Sequence, residues 1–409
     1  MQQVALQSRV NQETASLERS TCMLLVSRNS ISTVVQGNNV RATAVHQLMP
    51  HLVKKQPTPR IRRCTLHPNF RIKFRSVSRS SCTMTDSQAS NKTMSPNSFA
   101  MEGPMVALLM PFKPNNLEID DASFIKYLKY LWSGGIKNVV VNGSTGEFPS
   151  MTLAERKHAA ELCRSHWLGT VVVGISSTAV ADCLELLEHA STQVTTATNG
   201  QRTVADAVLL LPPYYFASVP DQGIENFILA VLQKTQLPSY LYNYSVHTGN
   251  LVSTQSYKNV AEQLPLLRGI KCTVTAMTDA TSYKETMPHL QAYLGGIEAQ
   301  ALEGLQKGLD GVIAGGMSAV LPQLVTKVDA SFRKGEVKEA QAAQVTLNKW
   351  VSTRDDLKLM DVGAGKAAMS KVVPGFPSAV RPPLVEVNTE LQKKLVSQYP
   401  ASSQLQSAD

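Results

Sequence analysis

From residue 104 onward, short β-branched or aliphatic runs alternate with longer segments of helical period, and the alternation repeats eight times. The strand candidates are Met105–Met110, Asn138–Asn142, Thr170–Ile175, Ala207–Leu211, Tyr240–Asn243, Gly269–Cys272, Ala292–Leu294 and Gly311–Ala314. Between them the pattern predicts helices such as Asp121–Ser133, Leu153–Ser165, Val180–Ala190, Gln222–Gln233, Gln255–Glu262 and Ala299–Lys307. In the first of these, Phe124, Leu128, Leu131 and Trp132 share a face, and Gly134-Gly135 ends the helix. Apolar strands that are each followed by a helix imply a parallel sheet covered on both faces, and eight such units predict a closed (β/α)8 TIM barrel. An open doubly wound sheet would announce itself by a glycine-rich loop after the first strand. That strand instead ends Leu109-Met110-Pro111-Phe112.

Two departures from the rhythm are informative. Ser191 to Thr203 is rich in Thr, Asn and Gln and longer than such a connection needs, which predicts a surface insertion. Ala319 to Val373 reads as several helices beyond the barrel, and the tail after Pro400 is polar. The string Gly363-Ala364-Gly365-Lys366-Ala367-Ala368 lies there, far from the first strand, and has Ala where a P-loop needs Ser or Thr; it reads as the start of a helix and not as a nucleotide loop. The expected organisation is a leader over residues 1–100, the barrel over 101–318, C-terminal helices over 319–390 and a polar tail over 391–409.

Charge separates the leader from the rest. The chain of 409 residues carries a formal +9, yet residues 1–100 hold fourteen basic against three acidic side chains, a net +11, and the remaining residues are at −2. The leader is Ser- and Arg-rich, poor in acids and without an apolar core region, the composition of a transit peptide and not of a secretory signal. Its alternatives are a disordered tail or a true start at Met84 or Met101. A transit peptide would take the protein to a plastid or mitochondrion; without one it is expected in the cytoplasm. Only Phe70 and Phe74 interleave with the basic residues, so a nucleic-acid partner is not expected. No run of 18 apolar residues occurs, so no membrane partner is expected either. Cys22, Cys64, Cys82, Cys163, Cys183 and Cys272 include no CxxC spacing, and neither a metal site nor a disulfide framework is predicted.

On a TIM barrel, function sits where strands end and loops begin at the C-terminal face. Those positions carry Gly143-Ser144-Thr145-Gly146-Glu147, Pro212-Pro213-Tyr214-Tyr215, Tyr242-Asn243, Lys271, Gly295-Gly296 and Gly315-Gly316. Lys271 is the anomaly, because a strand covered on both faces is an unfavourable place for an ammonium. Burial favours the neutral amine, which is the nucleophile that forms an imine with a carbonyl. The plain alternative is a lysine that snorkels to the rim or pairs with a carboxylate. A tyrosine such as Tyr242 with a hydroxyl such as Ser144 would relay a proton, and the Gly-Ser-Thr-Gly turn would offer donors to a carboxylate. Taken singly, that turn also reads as a tight strand-to-helix connection and Tyr242 as a core tyrosine.

Gly-Ser-Thr-Gly-Glu, Leu-Leu-Pro-Pro-Tyr-Tyr, Leu-Tyr-Asn-Tyr and Gly-Ile-Lys, in this order on eight βα units, resemble the dihydrodipicolinate synthase and N-acetylneuraminate lyase family of class I aldolases. The resemblance spans about residues 104–390. It implies a homotetramer or homodimer in which Lys271 forms a Schiff base with pyruvate or another 2-oxo acid, so that the covalent imine replaces any cofactor. It further implies that Tyr242 is the relay tyrosine, that Ser144 and Thr145 complete the relay and bind the carboxylate, and that Tyr215 reaches into a neighbouring subunit's site.

The family's branches differ in the substrate pocket. His247 stands where the synthase of lysine biosynthesis has an arginine, which removes a bidentate grip on aspartate semialdehyde, and Ser144 stands where it has threonine. Glu298 and Ala299 replace residues that contact sugar hydroxyls in sialic-acid lyase. The Tyr-Asn-Tyr segment, Ala314-Gly315-Gly316 and Arg381-Pro382-Pro383 look most like the 2-keto-3-deoxy sugar-acid aldolases, with His247, Gly296, Glu298 and Gly315 as substrate contacts. The expected activity is an aldehyde-lyase that splits or condenses a 2-oxo acid, its partners a small 2-oxo acid and an aldehyde. The rival activity is dihydrodipicolinate synthesis from pyruvate and aspartate semialdehyde. A rival of another class is a module that binds 2-oxo acids without turnover.

Overall fold

The computed structural model describes residues 99–273, 276–296 and 298–405. The leader, all but Phe99 and Ala100, therefore lies outside the described residues. Eight parallel strands, Met105–Ala107, Asn138–Val141, Thr170–Gly174, Ala207–Leu210, Ser239–Asn243, Leu267–Cys272, Gln291–Gly295 and Gly311–Ala314, pair in sequence order. The last pairs with the first, Ile313 beside Met105, and closes the barrel. Each strand is followed by a helix, in turn Asp121–Ser133, Leu153–His166, Val180–Ala190, Asp221–Leu232, Thr254–Ala261, Met277–Thr286, Ala301–Gln306 and Pro322–Arg333. The architecture is thus the (β/α)8 TIM barrel read from the eightfold rhythm.

Within each strand the side chains alternate between two apolar compartments. Val106, Val139, Val141, Val173, Leu241 and Ile270 face outward into one core shared with the helices. Met105, Ala107, Val140, Val172, Leu209, Tyr240, Tyr242, Tyr293 and Ile313 fill the barrel interior. Both faces being apolar is why the strands read as continuous hydrophobic runs.

The insertion at Ser191–Thr203 is an antiparallel hairpin, Gln193–Thr195 against Gln201–Thr203. Asn199 takes a left-handed φ of 58° in its turn, and the Thr196 N–H donates to the Gly200 carbonyl at 2.8 Å. Asn before Gly suits that turn, and Thr suits the flanking strands. The helix Met277–Thr286, absent from the sequence-based candidates, buries only Met277, Ala280 and Tyr283 among Thr, Ser and charged residues, too narrow a stripe to stand out in the pattern.

Beyond the barrel lie helices Val337–Asp356, Asp361–Met369, Thr389–Ser397 and Ser402–Leu405. The Gly363-to-Ala368 string is inside the second of these, with all six residues buried, and forms a helix as expected. Between Met369 and Thr389 the chain crosses the C-terminal face of the barrel, tied there by the Arg381 guanidinium. That group bonds the Leu117 and Ser150 carbonyls and the Glu155 carboxylate. No helix of the described residues is long and apolar enough to cross a membrane.

Candidate active site

Lys271 sits on the sixth strand between Ile270 and Cys272, both of which face the outer core, so its side chain enters the barrel. In register beside it are Tyr242 on the fifth strand and Tyr293 on the seventh. The lysine is 5% exposed, and its amine lies 3.9 Å from the centre of the Tyr242 ring. The ring face presents partial negative charge to the amine. Gly295 makes the space: a Cβ there would stand 2.4 Å from Lys271 Cε.

Tyr242 is placed by a directed chain of hydroxyls. Thr273 Oγ1 donates its one proton to the Gly295 carbonyl at 2.8 Å, so at 3.2 Å it accepts from the Tyr242 hydroxyl. Tyr244 stacks on Tyr242 with ring centres 5.6 Å apart, and His247 stacks on Tyr244 at 3.9 Å. Burial pulls the His247 pKa below its ordinary value, which favours the neutral ring.

Ser144 and Thr145 lie in the turn Ser144–Gly146 after the second strand, and Thr145 abuts the eighth. A Cβ at Gly315 would stand 2.6 Å from Thr145 Oγ1. Lys271, Tyr242, Thr273, Ser144, Thr145 and His247 converge on a single cavity of about 490 Å³, which Gly296 and Gly315 also line. The C-terminal helices and the crossing segment close one side of it with Met360, Val362, Pro383 and Leu384. Arg354, held by Asp355 at 2.9 Å and Asp361 at 2.8 Å, is at the same wall.

One expected site residue, Tyr215, falls outside the cavity in this chain. Tyr215 is 86% exposed, with φ 81° and its ring edge-on to Phe216, outside the cavity; its neighbour Tyr214 lines the cavity instead, packed against Phe148. Glu298 opens the short turn Glu298–Gln300 after the seventh strand. Thr273 and Tyr244 were not among the sequence candidates, although each lies two residues beyond one. The period of a strand puts such residues on the same face. Tyr214 and the C-terminal wall carry no such signal. Among the described residues no group of three or more His, Cys, Asp or Glu is arranged to hold a metal.

A buried amine on an aromatic face, a hydroxyl chain behind that ring and a glycine-lined cavity at the C-terminal ends of barrel strands make an arrangement suited to lyase chemistry through a lysine imine. Residues 100–401 match the Dihydrodipicolinate synthetase family, and the chain belongs to it. Over 308 residues it is 27% identical to the 4-hydroxy-tetrahydrodipicolinate synthase of Maridesulfovibrio salexigens, covering 74% of this chain and 98% of that one. Over 235 residues it is 26% identical to the 2-dehydro-3-deoxy-D-gluconate/2-dehydro-3-deoxy-phosphogluconate aldolase of Thermoproteus tenax, covering 58% and 71%. The crystal structure of YagE, a prophage protein of E. coli K12 in complex with pyruvate, superposes with a TM-score of 0.65 at 23% identity, covering 72% of this chain and 96% of that one. The protein is accordingly an enzyme, a class I pyruvate-dependent aldolase whose family uses a lysine imine and no external cofactor.

Proposed function

We propose that Lys271 is the imine-forming lysine and that the enzyme cleaves a 2-keto-3-deoxy sugar acid, releasing pyruvate and an aldehyde. The neutral amine attacks the C2 ketone, one proton is taken up from solvent as water leaves, and the protonated imine accepts the electron pair of the breaking C3–C4 bond. Tyr242 relays the proton: its oxygen accepts the proton of the C4 hydroxyl as that bond breaks and passes its own hydroxyl proton to C3 of the enamine. Hydrolysis of the imine then frees pyruvate and the amine. Ser144 and Thr145 bind the carboxylate. Gly296 and Gly315 leave room, and contact with the aldehyde portion is assigned to His247 and Glu298. The observation that carries this reading is the Lys271 amine held on the Tyr242 ring within the cavity.

The sugar-acid substrate draws support from the Thermoproteus tenax relative and from His247 in place of an arginine. The second reading, condensation of pyruvate with aspartate semialdehyde, draws support from the near full-length match to a 4-hydroxy-tetrahydrodipicolinate synthase. Assembly as a homotetramer or homodimer belongs to the same proposal, with Tyr215 entering a neighbouring copy's site. So does arrival in a plastid or mitochondrion if residues 1–100 act as a transit segment, which sequencing the mature N-terminus tests.

The deciding experiment is borohydride reduction with pyruvate followed by peptide mass mapping. The expected result is one adduct, on Lys271; an adduct on another lysine, or none, overturns the mechanism. A turnover panel of keto-deoxy sugar acids, sialic acid and aspartate semialdehyde with pyruvate then separates the two substrate readings.

A further inference from the structure

A second lysine is buried more completely than Lys271. Lys366, on the helix Asp361–Met369, is 0% exposed; it donates to the Ala379 carbonyl at 2.7 Å, lies 4.2 Å over the Phe112 ring and forms an ion pair with Glu147. Glu147 is itself buried, and its other carboxylate oxygen accepts the Arg381 backbone N–H at 2.9 Å. It follows Ser144, Thr145 and Gly146 directly.

We propose that Lys366 is a positioning residue for substrate binding: through Glu147 it holds the Ser144–Glu147 turn in the form that presents Ser144 and Thr145 to the substrate carboxylate. The inference rests on the carboxylate-binding role proposed for those two hydroxyls.

Three observations converge on it. Glu147 adopts a left-handed backbone, φ 57° and ψ 34°, between the turns Ser144–Gly146 and Phe148–Ser150. Glycine would take that conformation at less cost, so a glutamate there needs its side chain anchored. The reversal also sets where Thr145 and Phe148 point, and both line the cavity. Finally, the helix bearing Lys366 is seated on the other side of the same turn. A Cβ at Gly365 would meet the Gly316 backbone at 2.7 Å, and one at Gly315 would meet Thr145 Oγ1 at 2.6 Å. Thr145 is thus fixed from the eighth strand and Glu147 from the helix behind it. Solvent-inaccessible charges at both ends of the pair make slippage unfavourable, because either partner alone would be a buried unpaired ion.

Two variants test this. Glu147→Gln keeps the shape and an acceptor for the Arg381 N–H while removing the ion pair. Glu147→Gln with Lys366→Met removes both charges, the change least harmful to a buried pair's fold. In each, pyruvate concentration is titrated against borohydride adduct at Lys271, with amide hydrogen exchange over residues 143–150 followed alongside. The expected result is a half-saturating pyruvate concentration raised by about tenfold, faster exchange in the turn, and a full adduct at saturating pyruvate. Variants that only melt earlier, with wild-type half-saturation and wild-type exchange in the turn, overturn the proposal. Absence of a Lys271 adduct in the wild type would instead remove the aldolase assignment on which it rests.

Discussion

Tyr242 holds two tasks at once, and the hydroxyl separates them. Its ring face carries the Lys271 amine, while its oxygen is oriented by Thr273. Tyr242→Phe keeps the ring and therefore the environment of the amine, but deletes the group that moves the proton. The expected outcome is a Lys271 adduct formed as in the wild type with cleavage slowed by roughly 10²-fold or more; equal losses in trapping and turnover would show that the hydroxyl acts in imine formation. At this scale the sequence is legible where chemistry is unusual for its setting. A lysine in a doubly covered strand stands out, as does a Gly-Ser-Thr-Gly turn at a strand end. Thr273 and Tyr244 are ordinary strand residues by type, and only their spacing from Lys271 and Tyr242 marks them. Tyr214 and Tyr215 are indistinguishable by composition. What separates them is the left-handed φ at Tyr215, which swings its ring outward.

Among the elements, the helix Leu153–His166 couples the site loop to the C-terminal crossing segment. Thr152 caps its first turn, accepting from the Glu155 N–H at 3.2 Å, while the Glu155 carboxylate accepts the Thr152 N–H at 2.8 Å. The same carboxylate takes the Arg381 guanidinium, which holds the Glu155 pKa down at about 2 against an ordinary 4.5. Well above pH 4.5 the carboxylate is ionised in folded and unfolded chains alike, and its stabilisation is complete. As pH falls, the unfolded chain binds the proton first, and that stabilisation is lost progressively until about pH 2. Glu155→Gln preserves the cap but does not titrate. Urea unfolding should therefore show a wild-type advantage over Glu155→Gln that is widest near neutral pH and shrinks between pH 4.5 and 3; a gap independent of pH would rule out the ion pair as its source. The capping pattern Thr-x-x-Glu is plain in the sequence, as the strands and most helices are. The partner of that Glu, more than two hundred residues away, has no local signature, since its position depends on how the C-terminal helices dock.

For the whole molecule, the decisive contacts lie at the end of the barrel opposite the cavity. Met101 is buried there, its N–H donating to Gln291 Oε1 at 3.1 Å and its carbonyl accepting from Gln291 Nε2 at 2.8 Å and the Tyr293 hydroxyl at 2.7 Å. Tyr240 donates to the same Gln291 oxygen at 2.6 Å, so the segment before the first strand plugs the interior beneath Lys271, which is in register with Tyr293. This sharpens the division that charge alone suggested. The +11 belongs to residues 1–100, yet the barrel's own requirement reaches back to at least Met101. A chain begun at Met84 retains every one of these contacts and should match the full chain in melting temperature and in pyruvate trapping. A chain begun at Pro104 loses the plug. Burying one methionine and satisfying three hydrogen bonds contributes about 3–5 kcal/mol, so its melting temperature should fall by roughly 5 °C or more. Equal melting of the two truncations would show that the barrel floor is sealed by Tyr240, Gln291 and Tyr293 without help from the preceding segment.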